Sequence, residues 1–462
     1  MTALVERHYG PLGAEEPPHA PVTGEEQWAG IYQGESKIGY AVGKIIPEGE
    51  GYKAYETVFM RLKVMGHEKD ARMTTEAELD RTLRLKSFIF VIESDVPIKI
   101  EGTVEGRSLG IRLSSGGATA KQRIPLKEEP YISLHAFPSG ERLEPGKTFR
   151  FPMLDPSTLT EGALELEVEG KETIEVMGGK VPAWRLKGSF MGADVTLWVD
   201  ESGEILKEEA MGFTTIREEK ETALRLEGPS IDIIARTAVP FDMKLPRNIS
   251  RLKVRLSGID FTGLELDGGS QRLTGSILEV AAVPLSSIAN APNAPLLADM
   301  DEYLKETLFI QSKDPEIAGL AKEIAGEGMP ETAEETLKRA RLIHEWVYKN
   351  LKKVPAITLP TAVEVLRSRR GDCNEHTTLY VALARASGVP SRIAVGLVYK
   401  DGYFYYHAWP EIYIGGWVPI DPTFGQFPAD ASHIRLITGD LDKQALLLRV
   451  VGKLKLQWVD NR

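Results

Sequence analysis

From Trp28 to about Glu227 the chain reads as short runs of alternating apolar and polar residues, each ended by a turn signal. Examples are GYAVGKII before PEGEG, YKAYETVFMRL, LRLKSFIFVIES, and VTLWVDESGEIL with its Asp-Glu-Ser-Gly turn. Period-two alternation turns one face of a strand to a core and the other to water, and helical periodicity is scarce here. This stretch of about 200 residues therefore reads as antiparallel β-structure, either one large curved sheet or two sandwiches. The tract KEEPYISLHAFPSGERLEPGKTFRF (127–151) is the expected seam.

Downstream the character changes. Residues 229–290 still lean to β-structure, with RLKVRLSGIDF (251–261) followed by TGLELDGGSQRLTG. APNAPLLADMDEYL then reads as a linker into helices, and ETAEETLKRARLIHEWVYKNLKK (331–353) is strongly helical. Its Leu337, Ala340, Ile343, Trp346, Val347 and Leu351 recur at three- and four-residue steps and form one apolar stripe. His344 and Trp346 are assigned to packing of that helix. A chain of 462 residues is too long for one ordinary core. The expected division is a flexible arm (1–26), an antiparallel β domain (27–228), a β-rich connecting region (229–298), an α+β domain (299–440) and a C-terminal β extension (441–462). The fold class is α+β.

Hydrophobic residues at 42% and charged residues at 27% suit a soluble globular chain. A net charge of −11 argues against a nucleic-acid partner, which calls for basic patches. Cys373 is the only cysteine, so no disulfide forms within the chain and a cysteine zinc cage is excluded. No apolar run reaches the roughly 18–20 residues of a membrane-spanning helix. MTALVERHYG is too short in its apolar part for a signal peptide. The Pro-, Gly- and Glu-rich residues 9–26 suit an arm tethering a domain to an anchor upstream of Met1, and equally a ragged cytosolic start.

The segment that carries chemistry is residues 369–425. Asp372 and Glu375 fit a capping box, good helix formers follow through Ala386, and Ser387-Gly388-Val389-Pro390 supplies the stop. Cys373 then falls in the first turn of a helix, where unpaired N–H groups and the helix dipole favour a thiolate. SRIAVGLVY and YFYYHAWPEIYI follow as strands joined by the Lys-Asp-Gly turn at 400–402, and WVPID is a third. His407 lies on the second strand and Asp421 ends the third. Such a core brings the imidazole to the thiol and the carboxylate behind the imidazole, so that His takes the thiol proton and Asp fixes its tautomer.

The strings GDCNEH, HAW and GWVPIDPT resemble the transglutaminase-like superfamily, whose core is a papain-like helix and sheet. Its motif order is Cys at a helix start, His on a strand, then Asp before Pro. The resemblance covers roughly residues 300–440 and implies Cys373 as nucleophile, His407 as base and Asp421 as orienting carboxylate. The separations of 34 and 14 positions suit that compact core. The upstream β region also resembles exported bacterial members, which implies an extracytoplasmic or membrane-anchored protein. Animal transglutaminases supply an aromatic oxyanion donor upstream of the Cys. This chain has no Trp between Trp346 and Cys373, which weighs against cross-linking. The backbone N–H of Cys373 is a natural oxyanion donor instead.

His376, three residues beyond Cys373, competes for the role of base but is read as a wall residue. A metal site from Cys373, His376, His407 and Asp421 lacks a second thiol or an HExxH spacing, so no metal and no cofactor are expected. Calcium activation is not expected either, for no EF-hand-like loop occurs. Asn374 and Trp409 are candidate substrate-binding residues. Tyr403, Phe404, Tyr405 and Tyr406 alternate between groove and core, and Trp417 is assigned to packing. The expected activity is attack on an amide, a peptide bond or glutamine side chain, through a thioester, with hydrolysis favoured over amine transfer. The partner is then a protein or peptide substrate. A scaffold protein with a vestigial triad is the competing reading.

Overall fold

A computed structural model of the chain describes residues 24–64, 66–93, 97–132, 143–226, 232, 236–284, 300–355, 359–444, 447 and 449–459. Most of the expected arm, part of the 127–151 tract and most of the 291–304 linker lie outside the described residues.

The N-terminal β region is a single 14-stranded sheet. Its first half is β1 (Gln27–Gln33), β2 (Ser36–Glu48), β3 (Gly51–Val64), β4 (His67–Leu79), β5 (Leu85–Glu93), β6 (Ile98–Glu105), β7 (Ser108–Ser115) and β8 (Ala118–Pro125). The second half is β9 (Thr148–Asp155), β10 (Thr160–Val176), β11 (Gly179–Phe190), β12 (Ala193–Val199), β13 (Ile205–Ala210) and β14 (Phe213–Arg217). Every strand pairs antiparallel with its sequence neighbours except at the step from β8 to β9, and β1 pairs with β14 to join the halves. The structure thus takes the one-sheet alternative, with β8 and β9 at its two edges.

Alternation sets the faces. On β10, Leu164, Leu166 and Val168 are buried while Glu165 and Glu167 are exposed. Apolar side chains from both halves, among them Ile100, Leu109, Leu113, Leu164, Leu186 and Leu197, share one core. The sheet therefore curls around its inner face. Leu308 and Phe309, from the chain beyond, complete that core.

The C-terminal body gathers the longer helices: α1 (Pro315–Ala325), α2 (Ala333–Asn350), α3 (Ala362–Ser368) and α4 (Cys373–Ala386). Its central sheet has the order β15 (Val239–Pro240), β22 (Tyr403–Tyr413), β21 (Ser391–Lys400), β24 (His433–Thr438), with β23 (Trp417–Pro419) also on β22. A second sheet has the order β17 (Gln271–Thr274), β18 (Ile277–Ala281), β16 (Arg251–Ser257), β25 (Lys455–Trp458), and two short strands, β19 (Lys352–Lys353) and β20 (Arg370–Gly371), pair parallel. Strands from 229–298 and 441–462 are therefore neighbours, and Val254, Leu278 and Leu456 share a core with Ile343, Leu379 and Leu397. Strands of these two segments thus pair with each other and pack on the C-terminal helices. Overall, β-structure dominates, with helices confined mostly to the C-terminal part.

Candidate active site

Helix α4 starts where the capping box predicts. Asp372 accepts from the N–H of Asn374 at 3.0 Å, and Glu375 accepts from the N–H of Asp372 at 2.7 Å. The helix ends at Ala386, and Gly388 takes a positive φ of 75° beyond it. Cys373 is the first helical residue and is half-buried, while Asn374 beside it is exposed. One turn on, the Thr377 hydroxyl donates to the Ala408 carbonyl at 3.1 Å, which ties α4 to β22 at the residue after His407. The start of α4 and the His407 segment of β22 are thus held together.

Behind the imidazole lies a dense network. His407 Nε2 donates to Asp421 Oδ2 at 2.8 Å, which leaves Nδ1 as the ring nitrogen available to a thiol proton. Asp421 is 0% exposed and accepts at Oδ1 from the N–H groups of Thr423 (2.7 Å) and Phe424 (3.0 Å). His433 Nε2 donates to the same Oδ2 at 3.1 Å. Burial alone would raise the Asp421 carboxyl, but the charges of His407 and His433 and hydrogen bonds from both hold it well below the usual carboxylate range.

Helix position does not by itself make Cys373 a thiolate. Burial, followed by the Asp372 carboxylate, pushes the thiol well up, and the Ala408 N–H only partly offsets this. The expectation of a lowered thiol pKa is corrected: desolvation, with the Asp372 charge beside it, outweighs the N-terminal dipole even in the first turn. A proton acceptor is therefore essential.

His376 turns Nδ1 back to the Asp372 carbonyl at 2.6 Å, within its own helix, and burial holds its ring below the usual histidine range. Trp409 is 1% exposed, beside His407 (ring centroids 6.1 Å apart) and edge-on to His433 (5.2 Å). It supports the network from inside, whereas substrate contact needs an open face. Of the four tyrosine and phenylalanine positions, Phe404 is fully buried and Tyr403 is exposed, as alternation requires. Among the described residues, the compact group of metal-ligating side chains is His407, Asp421 and His433. Their polar atoms bond one another.

Three contributors were not singled out for the site from sequence. His433 lies in a wholly buried strand. Phe424, 42% exposed, stacks on the His407 ring at 4.9 Å and 10°. His344, assigned only to packing, also bonds the Asp421 carbonyl through Nε2 at 3.1 Å. A buried His on an apolar stripe was the available signal for it. A cavity of about 390 Å³ opens between the two bodies, walled by Ile111, Ile124 and Leu159 on one side and Tyr303, Phe309 and Ile393 on the other. Phe309 and Ile393 also line a small recess with Asn374 and Ala408.

Residues 319–422 match the model of the Transglutaminase-like superfamily, so this stretch is a transglutaminase-like core. An uncharacterized protein of Haemophilus influenzae is 28% identical over 199 residues, covering 35% of this chain and 49% of the relative. The match thus spans about half the length of that curated relative. Among solved structures, a candidate cysteine protease from Cytophaga hutchinsonii is similar at 19% identity over 47% of this chain and 78% of that chain, TM-score 0.29. A beta-barrel-like protein from Brucella abortus is similar at 13% identity over 42% of this chain and 94% of that chain, TM-score 0.30.

Proposed function

We propose that this chain is a cysteine enzyme that attacks an amide through a thioester, with Cys373 as nucleophile, His407 as base and Asp421 as the carboxylate that orients it. The observation that carries this reading is the buried 2.8 Å bond from His407 Nε2 to Asp421, on the strand whose next residue, Ala408, is tied by Thr377 to the helix that begins at Cys373. His407 Nδ1 takes the thiol proton as sulfur attacks the carbonyl carbon, and the Cys373 N–H faces the developing oxyanion. The C–N bond breaks as the imidazolium returns its proton to the departing amine. Water, activated by the same ring, then cleaves the thioester. Hydrolysis is favoured because transfer needs a site that holds an amine and keeps water out.

The substrate in this reading is a protein or peptide, entering past exposed Asn374 and the recess lined by Phe309 and Ile393. An extracytoplasmic or membrane-anchored location is proposed on the resemblance of the upstream β region to exported bacterial members. Among the described residues no helix is long and apolar enough to cross a membrane.

The test is alkylation of Cys373 by iodoacetamide at pH 7. Labelling is expected in the unsubstituted chain and, because the thiol is pushed up, should fall at least about 100-fold in His407→Ala. An unreactive thiol would favour the scaffold reading. Profiling peptides released or amines attached, against Cys373→Ala, separates hydrolysis from transfer.

A further inference from the structure

Asp421 is gripped from two strands. His407 on β22 and His433 on β24 donate to the same oxygen, at 2.8 and 3.1 Å, while two backbone N–H groups fill the other. The far nitrogen of His433 faces Asp430, 3.5 Å from Oδ1 and 3.3 Å from the carbonyl. Acceptors thus meet both nitrogens of one ring. A neutral imidazole carries a single N–H and satisfies only one of them, whereas an imidazolium satisfies both. His433 is 2% exposed, so no water substitutes for either partner at the surface.

We propose that His433 is a positioning residue, anchoring Asp421 against His407 so that His407, Asp421, His433 and Asp430 work as one hydrogen-bonded chain. The proposal rests on the reading of Cys373, His407 and Asp421 as a triad. His433 acts through Asp421 and not on the reacting atoms. It fixes which way the carboxylate points, and hence which way His407 Nδ1 points. Its charge also draws on the Asp421 charge that otherwise stabilises an imidazolium at His407.

The groups facing His433 are Asp421, Asp430, the His407 ring at 5.9 Å and the uncharged Trp409. Burial alone would lower its ring, but hydrogen bonds to Asp421 and Asp430 push it up to about 9. The cation is therefore present at neutral pH.

The test is the pH profile of Cys373 alkylation by iodoacetamide in the full chain, with thermal unfolding as the folding control. In His433→Gln, which keeps a donor but drops the charge, the step at which His407 loses its proton should move up by about one pH unit. In His433→Phe, which also removes the donor, the neutral-pH rate should fall at least about 10-fold. Asp430→Asn, which leaves the Asp421 bond in place, should shift the profile in the direction of His433→Gln but less. Nitrogen NMR of the unsubstituted chain supplies an arm that needs no variant: both His433 ring nitrogens should be protonated at pH 7.5. A neutral His433 ring, or unchanged profiles in His433→Gln and Asp430→Asn, overturns the proposal. An unreactive Cys373 in the unsubstituted chain overturns the triad reading instead, so the two failures are told apart.

Discussion

Asp372 serves two ends that pull against each other. Its carboxylate caps α4 through the Asn374 N–H, yet the same charge helps push the neighbouring thiol up. Asn caps a helix about as well as Asp. Asp372→Asn should therefore leave stability within about 0.5 kcal/mol and move the alkylation profile of Cys373 to lower pH. Asp372→Ala should lower the thiol similarly but cost about 1 kcal/mol in denaturant melts. His433 gives a residue-scale prediction of opposite kind. Its folded pKa, about 9, is raised above the unfolded value of about 6.5, so the stability it contributes is complete below pH 6.5 and is lost as pH rises through 9. Denaturant unfolding should show a loss on the order of 3 kcal/mol across that window, absent in His433→Gln. Of these residues, the sequence exposed the ones with local signatures. Asp372 and Glu375 stand three apart as a capping pair, and Cys373 lies between them. His433 had no such mark. It is 12 positions from Asp421, at the start of a strand that follows the Asp430–Ser432 turn, and its partner is found only once β24 lies against β21.

At the scale of elements, β21 is the strand on which the site depends. It lies between β22 and β24, so it fixes the distance between His407 and His433. Gly396 sits opposite His407 on one side and Arg435 on the other, at a register shift. A Cβ there would run into the Ile434 carbonyl. Gly396→Ala should cost about 1–3 kcal/mol and lower the rate of Cys373 alkylation, because β24 must shift and carry His433 with it. Glu411, 1% exposed, accepts from Arg392 at 2.6 Å and from Arg435 at 3.1 Å, which links the same three strands by charge. β-rich composition around the Lys-Asp-Gly turn located β21 and β22, and the capping box and Gly-Pro stop located α4, since each is a continuous local pattern. Such patterns could not reveal that β25 pairs with β16 across about 200 residues, because pairing at that separation leaves no trace in either segment.

At the scale of the whole molecule, the two bodies are joined close to the chemistry. The Arg367 guanidinium on α3 donates to the Gly116 carbonyl in the turn between β7 and β8, and Phe309 belongs to the core of the curled sheet. Glu364 lies against Gly116 at the same junction, and burial, then the charge of Glu375, pushes its carboxyl up to about 7. A carboxyl raised in the folded state favours folding at low pH and loses that contribution as pH climbs from about 4.5 to 7. Glu364→Gln should thus be more stable than the unsubstituted chain at pH 8, by about 1–3 kcal/mol, with the gain vanishing near pH 5. Thermal melts at the two pH values check this.

The pairing of β1 with β14 has a consequence of its own. The backbone N–H of Glu218 reaches the Trp28 carbonyl, so the polypeptide enters and leaves the 14-stranded sheet at one spot. A unit whose two ends lie side by side has the geometry of an inserted domain, tethered to the rest of the chain at a single place.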